Sequence, residues 1–575
     1  MKLKITLAVL TAMIALGIAI TSKTSTSAQG KKPASKYDPT AEALADIASK
    51  DVGKGDWPQW GGWSGKNNTP QGKNIPIFWD VKKGTNIKWK AKLGSQTYGN
   101  AVVANGKVYV GTNNGAGYIK RYPPTKDLGC LLCFDEKTGK FLWQHSSPKL
   151  AAGRVVDWPE QGICDAPYVD GKRLWYVTSR GEVVCLDTEG FLDGKNNGPF
   201  KTEDNENKDE ADVIWKFDMM GTLGTFQHNM CSCSVTVAGD ILFVNSSNGV
   251  DASHINLPSP KAPSFFALDK NTGKLLWTDN SPGENILHGQ WSSPTYAVLN
   301  GKPQVLFAGG DGWLRSFNPK GKNGKSELYW KFDCNPKDSK WILGGRGTRN
   351  NLIATPVIYD GLVYIAVGQD PEHAEGMGHL YCIKPPAKLD GSDVSPFLAV
   401  DKNGKIVPHR RLQAIDKSAG EKAIPNPKSA MVWHYGSWTP KEYEEKPFEE
   451  QMHRSCGTVA IKNDLLYISD FSGLVHCLNA RTGKPYWTYD MFAESWGTPL
   501  IVEGKVYVGD ADGDIAIFPL TGDPKKAFKM VNGEKKPALG EVNTENAVYT
   551  TPIVANNVLY ICNKNTLYAI SPGGK

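Results

Sequence analysis

From about residue 86 to the C-terminal end, apolar and polar positions alternate with a period of two in short runs bounded by Gly and Asn turns. That pattern predicts hairpins of short antiparallel strands. The runs repeat as a larger unit. Its first half is a Pro-led apolar segment, a turn and an alternation around Tyr, as in ATPVIYDGLVYIAV (354–367), GTPLIVEGKVYV (497–508) and TTPIVANNVLYI (550–561). Its second half is a short strand, a Gly turn and an aromatic strand, as in CFDEKTGKFLW (133–143), FALDKNTGKLLW (266–277) and CLNARTGKPYW (477–487). Each unit therefore predicts a four-stranded sheet. The aromatics of the fourth strands are Trp89, Trp143, Trp215, Trp277, Trp330, Trp433, Trp487 and Phe528. First strands begin near Tyr98, Cys164, Cys233, Trp291, Ala354, Cys456, Trp496 and Tyr549. Both sets number eight, but Trp89 precedes every first strand and the last unit stops at LYAIS (567–571). The segment Asn86–Lys90 is expected to supply the missing outer strand. The predicted fold class is all-β, an eight-bladed propeller of four-stranded antiparallel blades closed by an N-terminal strand (86–575), a ring with few exposed sheet edges.

Residues 1–28 stand apart. Lys2 and Lys4, the apolar stretch Leu7–Ile20 and the small residues Thr26-Ser27-Ala28 follow the order of a secretory signal. The apolar stretch is shorter than the roughly 20 residues of a membrane span. An extracytoplasmic protein, periplasmic or secreted, with no transmembrane segment after cleavage is expected. Residues 29–85 form an N-terminal extension with a helix predicted over Thr40–Ser49 and an aromatic segment, Asp56–Gly62, expected to pack on the propeller.

Of the 575 residues, 40% are hydrophobic and 10% aromatic, which excludes a disordered chain. The formal net charge of +7 is spread without a basic run, so no nucleic-acid partner is indicated. Eleven cysteines in an exported chain raise the question of disulfides. However, Cys133, Cys185, Cys382 and Cys477 occupy one small-residue slot of the repeat, where other units have Ala267, Ser316 or Ala569. That placement points to buried packing groups.

The ALDxxTGKxxW repeat over about residues 86–571 resembles the tryptophan-docking repeat of the pyrroloquinoline-quinone (PQQ) propellers. This family includes quinoprotein alcohol dehydrogenases and the BamB-like propeller lipoprotein of outer-membrane assembly, so the resemblance carries the fold and leaves the function open. For the dehydrogenases it implies PQQ on the axis between a tryptophan floor and an adjacent-cysteine disulfide, beside Ca²⁺ held by Glu, Asn and Asp, with an Asp base. By resemblance Asn248 takes the place of the calcium-binding Asn, and Glu182 is a poorly aligned further ligand. The segment 281–294 resembles the one carrying the base, but its only acid is Glu284, and His288 lies nearest the expected place. No adjacent Cys pair occurs, Cys231-Ser232-Cys233 being the nearest approach, and the segment 228–234 has no tryptophan.

Read from the residues alone, five or six positions before the Pro of each first strand, or its equivalent Ala101, Ser234 or Thr458, stand Gln96, Gln161, His228 with Asn229, His288, Asn350 with Asn351, His453, Glu494 and Asn546. Equivalent positions of successive blades ring one mouth of the axial channel, so these polar groups are candidate ligand-binding residues, with Arg346 and Arg349 beside them. His288 is the candidate catalytic residue. Three long loops, 111–129, 245–264 and 368–379, open on the same face. The second holds Asp251 and His254; the third holds Asp370, Glu372, His373, Glu375 and His379, of which Asp370, His373 and His379 are the candidate metal ligands. Trp291 and Trp496 are candidates for a stacking surface. Insertions at 190–212 and 384–430 are expected to be solvated loops on the opposite face.

The function expected from these features is that of an exported ligand-binding or scaffolding propeller of the cell envelope, taking a small molecule or metal at its axial mouth or an envelope protein as partner. The alternative is a quinone-dependent dehydrogenase of alcohols or sugars using PQQ and Ca²⁺. Export should remove about the first 28 residues. Intact mass of the exported chain reads this directly, and a retained Met1 on a membrane-associated protein would reverse the assignment.

Overall fold

Each fourth-strand tryptophan lies opposite the small residue of the neighbouring third strand. The register pairs Cys133 with Trp143, Cys185 with Trp215, Ala267 with Trp277, Ser316 with Trp330, Cys382 with Trp433, Cys477 with Trp487 and Ala569 with Trp89. A small side chain there leaves room for the indole, which explains why one slot takes Cys, Ala or Ser. All eleven cysteines are free thiols. A bulge next to this pair in each of the seven sheets adds local twist to the outer strand.

These relations belong to a computed structural model that describes residues 37–574 except Ala374; the signal segment 1–28 lies outside the described residues. The chain is an eight-bladed propeller of four-stranded antiparallel sheets. The first blade comprises Val102–Ala104, Lys107–Asn113, Leu128–Asp135 and Phe141–Pro148, and the next six follow in chain order. The last consists of Ile553–Ala555, Val558–Cys562 and Thr566–Ile570, with Ile87–Lys92 as its outer strand.

Six indole N–H groups donate to a backbone carbonyl in the next blade: Trp89 to Glu136, Trp143 to Thr188, Trp215 to Lys270, Trp277 to Pro319, Trp433 to Ala480 and Trp487 to Thr521, at 2.8–3.2 Å. Each acceptor lies in the turn between the next blade's third and fourth strands. The glycine of that turn is required twice over. Gly139 has φ +70°, and a Cβ there would come within 2.5 Å of the Trp89 ring; Gly273 and Gly483 stand likewise against Trp215 and Trp433.

A second girdle joins the blades near the axis. The side-chain oxygen just before a first strand accepts the backbone N–H of the preceding blade: Ser234 from Ala166, Ser293 from Ser234, Thr498 from Thr458, Thr551 from Thr498 and Asn100 from Thr551.

The N-terminal extension begins with helix Pro39–Ala48, capped by Asp38. It then crosses the face opposite the mouth. Trp57 pairs with Val103, Pro58 O accepts from Val169, Ser64 O from Tyr296 and Gly65 O from Ile358. Asn67 bonds both backbone groups of Ile461, and Asn68 donates to Pro499 and Pro552. Seven blades are thereby tied to one segment. Within it Lys66 is wholly buried, its Nζ donating to Gln59 Oε1 at 3.0 Å, and burial pushes its pKa down to about 7.

The sequence expectation fails at two places. In the seventh blade the outer strand is Gly540–Asn543, while Phe528 lies in a separate hairpin, Phe528–Val531 with Glu534–Pro537. Phe528 is drawn there by the rings of Trp487 and Tyr489. Nor are the two insertions simply solvated. Glu210 bridges in parallel to Gln144, and Ser392–Asp393 pairs in parallel with Trp330–Lys331, so both use the open edge of the preceding blade's outer strand. From that edge the second insertion continues to the mouth.

Trp89→Ala should cost about 3–5 kcal/mol of unfolding free energy in urea, as for a large buried aromatic. Lys66 binds a proton more readily in the unfolded chain than in the folded one, so its term raises stability as pH climbs from about 7 to about 10.5. Compared with Lys66→Met, the parent should lose stability as pH falls through that window, with no further relative loss below it; a difference independent of pH would contradict the neutral buried amine.

Candidate functional site at the axial mouth

The axial channel widens at the mouth into a cavity of about 220 Å³ whose wall includes Trp158, Met230, Trp291, Glu372 and Trp496. It continues inward as a space of about 190 Å³ reaching Trp60 of the N-terminal extension. Trp60 is the floor, held by its Nε1 donating to Thr355 Oγ1 at 3.1 Å. On one side the rings of Tyr98, Trp496 and Tyr549 lie against one another, with centroids 5.7, 5.0 and 4.5 Å apart. Several wall hydroxyls and the Asn100 amide are consumed by the inner girdle, and the outer cavity presents chiefly apolar surface, with Met230 and the rings of Tyr98, Trp158, Trp291 and Trp496 in its wall.

On the rim the chain gathers imidazoles. His228 and His288 come from the approaches to the third and fourth blades and are both fully buried. His228 Nδ1–H donates to Val250 O at 2.7 Å, so its Nε2 carries the lone pair, and that atom is buried with no hydrogen-bond partner among the described residues. His288 Nδ1–H donates to Asp370 Oδ2 at 2.7 Å, and its Nε2 lies 3.0 Å from His254 Nδ1. The His228 and His288 ring centroids are 4.2 Å apart. His373 also donates to Asp370, at 2.9 Å, and Glu372 accepts from the Asn229 amide at 3.3 Å. Gly249 allows the close approach: a Cβ there would lie 2.6 Å from His288 O and 2.7 Å from His228 Cβ.

Electrostatics keep the His228 and His254 imidazoles neutral and the Asp370 carboxylate charged. Burial pushes the His228 pKa down to about 3, and the His288 ring adds to the effect. Burial lowers His254 as well. For Asp370, burial alone would raise the pKa, but the His288 and His373 imidazoles outweigh it and hold the carboxyl well below its usual range.

Two arginines fix this geometry. Arg411, from the second insertion, donates to Ile255 O at 2.6 Å and Leu287 O at 3.0 Å, one residue after His254 and one before His288. Arg349 is wholly buried and donates to Arg411 O at 3.1 Å. Arg454 spans the other side, donating to the carbonyls of His373, Glu375, Gly345 and Gly347.

The sequence-derived candidates thus divide. His228, Asn229, His288, Asp370 and His373 come together. Asn350 is buried and spent on Met377 O and Arg454 Nε, and Arg349 supports Arg411 and is closed off from the cavity. His453 is bound to Asp470 and Gln451 beneath the rings of Tyr443 and Phe448. Glu494 accepts the Trp496 indole N–H at 3.0 Å. The expectation of His379 as a metal ligand is not met, because its third strand directs it against His434, 3.1 Å away and apart from the cluster. His254, Glu372, Arg411 and Arg454 complete the arrangement. For the first two, the density of His and carboxylates in the long loops was the available signal; for the arginines there was none.

The PQQ and Ca²⁺ implied by the dehydrogenase resemblance do not fit these residues. Asn248 is buried, its Oδ1 taken by Phe226 N–H and its Nδ2 donated to Ser259 O. Cys231 and Cys233 are separately buried thiols, bonded to Gln227 and to Asn245 N–H. His288 is held between Asp370 and His254.

Tryptophan-docked blades around an aromatic-walled axial mouth define an eight-bladed propeller. A family model described as outer membrane protein assembly factor BamB matches residues 422–572. Among solved structures the chain is similar to the quinohemoprotein alcohol dehydrogenase from Comamonas testosteroni, at 14% identity and TM-score 0.55 over 93% of this chain and 84% of that one. It is also similar to quinohemoprotein alcohol dehydrogenase ADHIIG from Pseudomonas putida HK5, at 11% identity and TM-score 0.54 over 93% and 82%. BamB from Moraxella catarrhalis matches at 14% identity and TM-score 0.45 over 85% and 98%. At these identities the likeness is one of fold. No curated protein sequence matches the chain.

Proposed function

We propose that the protein is an exported, extracytoplasmic propeller of the cell envelope that binds a small organic molecule with a flat aromatic or quinonoid face in its axial cavity. The observation that carries this reading is the cavity itself, floored by Trp60 and walled by the rings of Tyr98, Trp496 and Tyr549. Flat π faces stack on such a wall, and the absence of a charged side chain among the inner lining favours an uncharged body over an ion. Asp370 and Glu372 at the rim favour a donor or cationic group at the ligand's outer end. The BamB-like family match over the last blades supports an accompanying envelope protein partner. Among the described residues no helix is long and apolar enough to cross a membrane.

Titration of the full chain with 1,4-naphthoquinone, read by tryptophan fluorescence, should show saturable quenching. Trp496→Ala should weaken binding by up to about tenfold, the worth of one aromatic contact of ~0.5–1.5 kcal/mol. Trp175→Ala, remote from the cavity, should leave it unchanged. Linear quenching, or equal affinity in the parent and Trp496→Ala, would defeat the reading.

A further inference from the structure

The imidazole cluster on the rim has a chemistry that the aromatic cavity does not explain. We propose that His228, His254, His288 and Glu372 form a binding site for one divalent first-row transition-metal ion. The site goes beyond the axial-ligand reading and does not depend on it.

Four observations converge. One ligand atom from each of the four residues lies within 4.8 Å of the others. Donors about a metal with bonds of ~2.1 Å stand roughly 3.3–4.2 Å apart, and the exposed Glu372 and half-buried His254 have the side-chain freedom to close the remainder. The second observation is the buried, unpartnered Nε2 of His228. A buried acceptor without a donor costs about 1–3 kcal/mol, and a metal ion removes that cost. Third, the outer nitrogens are already engaged as metal-binding histidines require: Nδ1–H of His228 donates to a backbone carbonyl and Nδ1–H of His288 to the Asp370 carboxylate. The first bond leaves Nε2 of His228 as a ligand, and the second fixes the direction of Nε2 of His288, which exchanges its 3.0 Å contact with Nδ1 of His254 for the ion. Fourth, the two arginine clamps hold the carbonyls beside His254 and His288 and the loop bearing Glu372, so the donors stand on a prepared frame.

The donor set selects the ion. Three imidazoles and one carboxylate suit Zn²⁺ or Cu²⁺ and disfavour Ca²⁺ and Mg²⁺, which take oxygen ligands. A second grouping, His288, Asp370 and His373, is also compact. It is the weaker site, because Asp370 already accepts from both rings and so acts as the support of His288.

The test uses the untagged full chain, stripped with chelator and titrated with Zn²⁺, together with electron paramagnetic resonance of its Cu²⁺ form. One ion per chain is expected, with the Cu²⁺ signal coupled to three nitrogens. His254→Ala should weaken Zn²⁺ binding by on the order of 100-fold or more and reduce the coupling to two nitrogens, while Glu372→Gln should weaken binding with the three nitrogens retained. Asp370→Asn should cost about 10–100-fold through the orientation of His288. His254 and Glu372 are outside the core, so both variants should unfold at the parent's temperature. The proposal is overturned if the stripped chain binds no ion. It is equally overturned if His254→Ala and Glu372→Gln bind as the parent does, or if the nitrogen coupling survives His254→Ala, which would place the ion at another histidine pair such as His379 and His434. Metal binding without probe binding leaves this site standing and removes only the axial-ligand reading; the converse result removes only the metal.

Discussion

The donation of an indole N–H from one blade to a turn carbonyl of the next is the interaction on which the ring depends. A single net hydrogen bond is worth only about 0.5–1.5 kcal/mol, but here it fixes the orientation of a buried indole whose two faces pack on different blades. The contact is directional. Trp89 reaches Glu136 in the first blade just as Trp487 reaches Thr521 in the seventh, so closure uses the same joint as five of the seven internal boundaries. The strand pairing of Ile87–Lys92 with Thr566–Ile570 then brings the two chain ends into one sheet without a covalent bond.

The joint also explains where the repeat breaks. It needs a turn in the next blade to receive the indole. Between the seventh and eighth blades that turn is replaced by the junction of the chain's two ends, and the seventh blade's outer strand Gly540–Asn543 carries no tryptophan. Between the fourth and fifth, the receiving turn is replaced by the insertion 384–430, and Trp330 donates within its own blade, to Gln304 Oε1. The same insertion fills the gap with Ser392–Asp393, climbs the outer edge and delivers Arg411 to the carbonyls beside His254 and His288. Loss of one structural contact thus coincides with the gain of the element that organises the mouth.

This division sets what the sequence could reveal. The blade count, the small-residue slot opposite each tryptophan and the outer strand at Trp89 follow from local period-two patterning and spacing, because each is a nearest-neighbour relation repeated along the chain. Phe528 misled because an aromatic at the expected spacing can fill the same packing position from a different hairpin. In the site, equivalence between blades located the approach residues but not their directions. His228 and His288 face each other, whereas His453 at the equivalent position turns to Asp470, since Tyr443 and Phe448 of the two preceding helical segments cover it. Equivalent backbone positions carry different side-chain partners wherever a non-repeating loop packs over them, and those loops have no periodicity to read.

The mouth is built against local stability. Two wholly buried imidazoles lie with ring centroids 4.2 Å apart, one with an unpaired nitrogen, and His254 sits in the left-handed region at φ +59°. Such an arrangement costs free energy and persists only when the surroundings over-determine it. Here the surroundings are rigid on every side: the fourth-blade approach, the Gly249 contact, and two arginines whose guanidinium donors bind the carbonyls of the loops that carry the donors. A core optimised only for packing would place apolar side chains in these positions. The polar cluster is instead held with its donor atoms converging, at the rim of a cavity whose inner wall has already spent several of its own polar groups on the girdle, so selective polar contact with anything entering the channel is concentrated at the histidine rim.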